Sequence, residues 1–233
     1  MIRERTLGHD GRVFAFREAG SESNPPVILL HAMGPDASDW DAVAEALADR
    51  FHVIALHQRG FGPSQRMPEY SFVLMRDDVL ALTEALGFEK FALLGHSMGG
   101  SVAYLVAEAV PERVSWLIVE DTPPPWGSEM PDPPAEPPRP VPFDWEAWRG
   151  IAAGLKHPDP AWWADRPKIA CPTLLFGGGD SSHVPQQLIA RVATLIPNAR
   201  FLTISDAGHL VHGARFEQFM AGVNGFLAEV AGA

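Results

Sequence analysis

A serine flanked by glycines, in the motif GHSMG at residues 95–99, gives the chain its clearest candidate nucleophile, Ser97. The motif follows an apolar run, Phe91–Leu94, and precedes a helical pattern over Met98–Ala109. A G-x-S-x-G motif carries a reactive serine when it stands between a strand and a helix in this way. Small residues on both sides let the chain turn sharply, and the turn sets the hydroxyl at a helix N-terminus, where backbone N–H groups favour developing negative charge.

A serine hydroxyl is a weak nucleophile without a base, and His209 is the candidate for that role. It stands in the sequence DAGH, just after the late apolar run Phe201–Ile204. A loop that follows a parallel strand opens at the same sheet edge as the serine motif. The pattern therefore predicts His209 as the general base for Ser97.

The base must in turn be oriented by an acid, and two aspartates compete for that position. Asp180 ends an apolar run that begins at Leu174, at the C-terminal edge of a strand. The order Ser97, Asp180, His209 along the chain is the order expected of this arrangement. We predict Asp180 as the acid. Asp121 is the alternative, because it follows the preceding strand at the same edge.

Acyl transfer also needs N–H donors for the oxyanion. The N–H of Met98, directly after the nucleophile, supplies one, and we assign the second to the N–H of Met33 in the loop after the run Val27–Leu30. This chemistry requires no cofactor. His212 lies three residues after His209, but no carboxylate or cysteine cluster accompanies the two in sequence, so we predict no metal site.

Compact apolar runs alternate with longer amphipathic stretches along the chain, which is typical of a doubly wound, mostly parallel α/β sheet. An earlier stretch, Arg12–Glu18, alternates in polarity and predicts an antiparallel strand at the start of the sheet. The predicted parallel strands are Val27–Leu30, Val53–Leu56, Phe91–Leu94, Leu117–Val119, Thr173–Phe176 and Phe201–Ile204. The predicted helices are Trp40–Asp49, Phe72–Leu86, Met98–Ala109, Gln186–Ile196 and Phe216–Val230.

One segment breaks this alternation, because half of the residues from Pro123 to Pro142 are proline. Proline fixes φ and lacks an N–H donor, so the segment is neither helix interior nor central strand. Trp145–Leu155 then reads as a short helix and Pro158–Trp163 as a second short element. We predict a core domain of residues 1–122 and 169–233, with residues 123–168 inserted as a short cap.

Composition limits the classes of protein and partner. The 233 residues are 46% hydrophobic and 20% charged, as in a soluble globular protein, and the net charge of −11 argues against binding to nucleic acid or anionic membranes. The N-terminus lacks the apolar run of a signal peptide, and a single cysteine excludes an intrachain disulfide. We therefore expect a cytoplasmic protein with a small-molecule substrate and leave its oligomeric state open.

These motifs together resemble the α/β-hydrolase superfamily from roughly Arg12 to Ala228, apart from the insertion. The resemblance implies an α/β-hydrolase fold in which the segment after the sixth strand caps the active site. The chain departs from the usual pattern at His31-Ala32, where the family has His-Gly, and at His57, which replaces an aspartate. We interpret the His57 stretch as structural, so the change leaves the triad intact and could alter the pocket wall.

The cap holds five of the seven tryptophans of the chain, either as an aromatic lid over an apolar pocket or as anchors to the core. The candidate pocket residues are His31, Trp126, Trp145, Trp148 and His212. The leading function is hydrolysis of an ester, thioester or lactone of a small, fairly apolar substrate. The alternatives are C–C bond hydrolysis, cofactor-free haloperoxidation or a lyase reaction with the same triad, and a small-molecule receptor or non-catalytic scaffold.

Overall fold

A computed structural model describes residues 1–127 and 132–232 of the chain. Its centre is one eight-stranded sheet with the strand order β1-β2-β4-β3-β5-β6-β7-β8. The first two strands pair antiparallel with their neighbours, and every later pairing is parallel. The strands are β1 (Arg3–His9), β2 (Arg12–Ala19), β3 (Pro26–Leu30), β4 (His52–His57), β5 (Phe91–His96), β6 (Val114–Glu120), β7 (Thr173–Gly177) and β8 (Ala199–Thr203).

Eight α-helices connect or flank these strands within the described residues. The five helices expected from the amphipathic pattern are present, and two more, as expected, lie in the cap segment. The helices are α1 (Asp41–Leu47), α2 (Phe72–Ala85), α3 (Met98–Ala109), α4 (Trp145–Lys156), α5 (Ala161–Ala164), α6 (Gln186–Leu195), α7 (Val211–Ala214) and α8 (Phe216–Gly232). The α/β class and the mostly parallel sheet predicted from the sequence are confirmed.

The central strands are buried on both faces, which explains their continuous apolar sequences. All residues of β4, β5 and β7 are buried, and two apolar clusters fill the space between the sheet and the helices on either side. This packing brings the carboxyl ends of β3, β5, β6 and β7 to one sheet edge. Ser97, Asp121 and Asp180 all lie just beyond that edge.

The chain between β6 and β7 is the segment for which the cap was predicted. The proline-rich run adopts neither helix nor strand in its described residues, as its composition predicts, and its residues 128–131 lie outside them. Asp144 caps α4 by accepting a hydrogen bond from the N–H of Glu146. Aromatic side chains then fix α4 to the core: Phe143 packs on Phe61, with 5.3 Å between ring centroids, and stacks with Trp148 at 5.8 Å.

Candidate active site

Ser97 occupies a strained turn between β5 and α3. Its φ of +53° lies in the left-handed region, which residues with a side chain adopt uncommonly and at a cost in free energy. A Cβ at Gly95 would lie 2.4 Å from the carbonyl oxygen of Gly99, and a Cβ at Gly99 would lie 2.1 Å from that of Leu30. Only glycine fits at these two positions, so the motif is required by the geometry of the turn.

Backbone hydrogen bonds hold this turn to its neighbours. The N–H of Ser97 donates to the carbonyl of Glu120 at 3.2 Å, and the N–H of Gly99 donates to that of His31 at 3.1 Å. The nucleophile turn is thus joined both to the end of β6 and to the loop that follows β3. These are the two places from which an acid and an oxyanion donor are expected.

His209 is held by Asp121. Its Nδ1–H donates to Oδ2 of Asp121 at 2.8 Å, where the aspartate side chain is fully buried and the imidazole is 25% exposed. The prediction of Asp180 as the acid is corrected here, because Asp180 lies exposed and the partner of His209 is the alternative, Asp121. Asp121 comes directly after β6, and its own φ is +47°.

Four donors surround the carboxylate of Asp121. Besides His209, the N–H of Gly178 and the side-chain amide of Gln186 donate to Oδ1 at 2.9 Å each, and the hydroxyl of Ser182 donates to Oδ2. Burial raises the pKa of this group, but the hydrogen bonds outweigh burial and hold the pKa of Asp121 below its ordinary value. The carboxylate is therefore ionised and able to stabilise a protonated imidazole.

A cavity of about 150 Å³ opens beside this group. Ser97 and His209 both line it, so the candidate nucleophile and the candidate base face the same space. Most of the remaining wall is apolar and comes from the β3 loop, the chain after β6 and the cap helix α4. These residues are Met33, Met98, Pro123, Pro125, Trp126, Gly127, Ile151, Leu155 and Val184, with Ser101, Asp121, Thr122 and His183 as the polar members.

The two residues assigned to the oxyanion hole, Met33 and Met98, lie on this wall. Met98 is the first residue of α3, so its N–H is one of those left without a partner inside the helix. Met33 comes from the β3 loop, which the Gly99–His31 hydrogen bond holds against the nucleophile turn. Their role as oxyanion donors stays a prediction.

Four of the five candidate pocket residues do not line the cavity, and Trp126, 46% exposed, is the one that does. His31 and His212 are buried below the site instead. Trp145 and Trp148 stack on each other, with ring centroids 5.7 Å apart. For these two rings the anchoring interpretation fits the contacts better than the lid.

His57, which stands in place of the family aspartate, also lies away from the cavity. It is buried beneath the β3 loop, where its Nδ1 accepts a hydrogen bond from the N–H of Ala37 at 3.3 Å. A Cβ at Gly62 would lie 2.5 Å from this imidazole. The replacement therefore supports a turn in the chain, as the structural interpretation of this stretch expects, and does not form the pocket wall.

Sequence reasoning missed the residues after β7 that complete the site. Ser182 and Gln186 fix Asp121, and His183 lines the cavity with its ring centroid 4.4 Å from that of His209. Burial and the neighbouring His209 lower the pKa of His183. The available signal was the polar stretch Ser181–His183, which follows Asp180 and the glycines at the end of β7.

One group of potential metal ligands exists within residues 1–127 and 132–232. The ligating atoms of His96, Glu120 and His212 lie within 4.8 Å of one another, and all three residues are buried. The group is separate from the cavity, since none of its members lines it. The expectation of no metal site considered only residues close to His209 and His212 in sequence. His96 and Glu120 are distant from His212 in the sequence and approach it only in the fold.

The chain belongs to the α/β-hydrolase fold family, which matches residues 25–143. It is 26% identical over 254 residues to an sn-1-specific diacylglycerol lipase, ABHD11, of Mus musculus, covering 90% of this chain and 83% of the relative. Two solved structures are also similar over nearly their whole length. A thermophilic esterase from Thermogutta terrifontis has a TM-score of 0.82 at 26% identity, covering 98% of this chain and 99% of the esterase. A hydrolase from Pseudomonas aeruginosa has a TM-score of 0.84 at 25% identity, covering 97% of this chain and 98% of that protein.

These relatives and the fold establish the protein as a hydrolase of the α/β family. Among the helices that the structure describes, none combines the length and apolarity needed to cross a bilayer.

Proposed function

We propose that the protein is a carboxylic ester hydrolase that cleaves esters, thioesters or lactones of small, fairly apolar acids through an acyl-Ser97 intermediate. One observation carries this proposal: Ser97 and His209 face one apolar cavity while Asp121 binds the far side of the imidazole. This is the arrangement of a nucleophile, a general base and an orienting acid.

In the first half-reaction, the hydroxyl oxygen of Ser97 attacks the carbonyl carbon as Nε2 of His209 accepts its proton. The carbonyl π electrons move to oxygen, and the N–H groups of Met33 and Met98 stabilise the resulting oxyanion. The oxyanion then collapses, the bond to the leaving group breaks, and the imidazolium delivers its proton to the departing oxygen or sulfur. The buried carboxylate of Asp121 stabilises the imidazolium between these two transfers.

In the second half-reaction, water takes the place of the leaving group. His209 removes a proton from the water as its oxygen attacks the acyl carbon, and the same donors stabilise the second oxyanion. Collapse releases the carboxylic acid and returns the proton to Ser97. The balance of the reaction is ester plus water to acid plus alcohol, and no redox partner or cofactor is required.

The apolar cavity wall is suited to bind an apolar acyl group. Met33, Met98, Ile151 and Leu155 present hydrocarbon or thioether surface beside Ser97. Each buried methylene contributes up to about 0.8 kcal/mol of transfer free energy. Butyrate has two more methylenes than acetate, so we expect kcat/KM for p-nitrophenyl butyrate to exceed that for the acetate by up to about fifteenfold. Equal values, or a preference for acetate, would contradict an apolar acyl site.

The decisive experiment removes the nucleophile. Ser97→Ala should lower kcat on p-nitrophenyl butyrate by about 10⁴- to 10⁶-fold, as in other triads, and should abolish labelling by a fluorophosphonate probe. Ser115→Ala is the matched control, because Ser115 is exposed on β6, and it should retain both signals. Wild-type turnover in Ser97→Ala would refute the mechanism, and absence of turnover in the wild type would favour a receptor or scaffold.

A further inference from the structure

A second set of ionisable side chains lies buried directly beneath the active site. His96 is 2% exposed, Glu120 is fully buried and His212 is 4% exposed. Each follows or precedes a member of the triad closely in sequence: His96 adjoins Ser97, and Glu120 adjoins Asp121. His212 stands three residues after His209, in the same segment.

Glu120 holds the segment after His209 through both of its carboxylate oxygens. Oε1 accepts a hydrogen bond from the backbone N–H of His212 at 2.9 Å, and Oε2 accepts one from its Nδ1–H at 2.7 Å. The imidazole of His212 also stacks on Trp40, with 4.2 Å between ring centroids. Burial lowers the pKa of His212, but Glu120 and Asp39 raise it above its ordinary value overall, so the contact is a charge-assisted pair.

His96 holds the catalytic histidine itself. Its Nε2–H donates to the backbone carbonyl of His209 at 2.8 Å, and the two rings pack with centroids 4.7 Å apart. Burial lowers the pKa of His96 to about 4, so the ring is neutral and Nε2 carries its one proton. The backbone at His209 is therefore fixed twice, at its own carbonyl by His96 and three residues later by Glu120.

We propose that His96, Glu120 and His212 form a buried positioning set that fixes the backbone of the His209 segment and thereby sets the imidazole against Ser97. The inference rests on the proposed function. The side-chain hydrogen bonds of His96 and Glu120 tie the end of β5 and the end of β6 to the segment that carries the base, so the three triad members are held to one another through their neighbours. A buried ion pair stabilises a fold weakly compared with apolar packing, whereas it can specify one arrangement of the chain.

Hydrogen bonding accounts for this geometry better than metal binding does. Both oxygens of Glu120 already accept N–H donors of His212, and Nε2 of His96 already donates to a carbonyl. A metal ion bound by Glu120 would have to replace at least one of these N–H donors, and each ligating histidine nitrogen would have to be deprotonated. Metal binding is therefore an outcome that the experiment must separate from positioning.

The experiment compares two substitutions of His96. His96→Gln keeps an N–H donor at similar reach for the carbonyl of His209, and His96→Leu removes it. A base displaced by about 1 Å can lose about 10²-fold in rate, so we expect His96→Leu to lower kcat by about 10- to 100-fold with KM within about threefold. His96→Gln should recover most of that loss.

A matched control separates positioning from stability. His52 is another buried histidine, and its Nε2 lies 2.8 Å from the carboxylate of Glu18; it begins β4, at the end of the parallel strands opposite the site. His52→Leu should lower Tm while kcat stays near the wild-type value. Glu120→Gln is a second variant in case His96→Leu fails to fold, because the amide oxygen of glutamine still accepts the N–H of His212. This variant should lower kcat and change KM little.

A second readout does not depend on turnover. The downfield proton resonance of the His209–Asp121 hydrogen bond should be present in the wild type and His52→Leu, and weakened or shifted in His96→Leu. Wild-type kcat and an unchanged resonance in His96→Leu, or no recovery in His96→Gln, would overturn the proposal. A stoichiometric metal ion in the purified wild type, with activity lost on chelation, would also overturn it. If the wild type does not hydrolyse esters but its His209–Asp121 resonance still changes in His96→Leu, the proposed ester hydrolase function is refuted and the proposed positioning role is retained.

Discussion

At the scale of single residues, the position of the acid is the main difference between expectation and structure. Asp121 and Asp180 follow neighbouring parallel strands, β6 and β7, at the same edge of the sheet. Their surroundings separate them: Asp121 has a positive φ and is fully buried, and Gly178 and Gln186 donate hydrogen bonds to its carboxylate. Asp180 lies one residue past Gly179 and stays in solvent.

This difference predicts unequal effects for two isosteric substitutions. Asp121→Asn should lower kcat by about 10⁴-fold, because an amide no longer favours the required tautomer of His209 or stabilises its imidazolium. Asp180→Asn is the paired control and should stay within about twofold of the wild type. Both variants are compared for kcat on p-nitrophenyl butyrate and for Tm. A larger loss of kcat in Asp180→Asn than in Asp121→Asn would support Asp180 as the acid, as the sequence predicted.

Local sequence was sufficient to select Ser97 and His209, which the structure brings to one cavity, but it was insufficient to select the aspartate that contacts His209. The turn around Ser97 has no room for a Cβ at Gly95 or Gly99, so the five residues of the motif contain the whole signal. The acid depends on which of two loops turns toward His209, and that choice is made by contacts 61 and 65 residues away, from Ser182 and Gln186. Such contacts leave no periodic pattern in the sequence.

At the scale of elements, the cap is joined to the core by a buried charge as well as by aromatic rings. Arg166 is fully buried after α5, and its guanidinium lies 2.7 Å from Glu108 at the end of α3. The same group lies 4.3 Å from the ring centroid of Tyr104, as a cation–π contact. Burial raises the pKa of Glu108 to about 7, while Arg166 opposes that rise.

This pair predicts a strongly non-additive mutant cycle. Arg166→Met should lower the free energy of unfolding by about 3 kcal/mol, because it leaves Glu108 buried without its partner. The double variant Arg166→Met/Glu108→Leu should regain most of that loss, since apolar groups of similar volume replace both charges. Urea unfolding of the four proteins measures the coupling. Additive losses in the double variant would show that the two charges act independently.

The elements themselves were largely predictable, with one strand as the exception. Continuous apolar runs identified the buried strands β3 to β7, because both faces of each contact helices. β1 carries charged residues, Arg3, Glu4 and Arg5, and is mostly exposed at the edge of the sheet. It lacks the burial that creates a recognisable pattern, and only its pairing with β2 reveals it.

At the scale of the whole molecule, the hydrolase keeps neutral histidines in its core, and this sets its response to acid. His31 is fully buried, with Nδ1–H donating to the carbonyl of Ala32 at 2.7 Å and Nε2 accepting from the N–H of Gln58 at 3.1 Å. Burial, with a smaller contribution from His57, lowers its pKa to about 4, although Ala32 and Asp36 act in the opposite direction. Protonation of His31 would turn its Nε2 into a donor, so the N–H of Gln58 would lose its acceptor and face another N–H.

The sign of the pH dependence follows from this pKa. In the unfolded chain His31 takes up a proton near its ordinary value of about 6.5, whereas in the folded protein it does so only near 4. The unfolded state therefore binds more protons between these values. The stability that neutral His31 provides is present above pH 6.5 and is lost as pH falls toward 4, by about 2 kcal/mol between pH 7 and pH 5. His212, whose pKa is raised, contributes with the opposite sign over its own range.

A substitution that cannot titrate isolates the contribution of His31. His31→Asn retains a donor for the carbonyl of Ala32, and its free energy of unfolding should fall less steeply from pH 7 to pH 5 than that of the wild type, by up to about 2 kcal/mol. His157→Asn is the control, because His157 is exposed and its side chain remains in water. Urea unfolding at pH 7, 6 and 5 measures all three slopes, and His212 cancels in the comparison because every variant contains it. Parallel curves for wild type and His31→Asn would mean that His31 does not remain neutral in the fold.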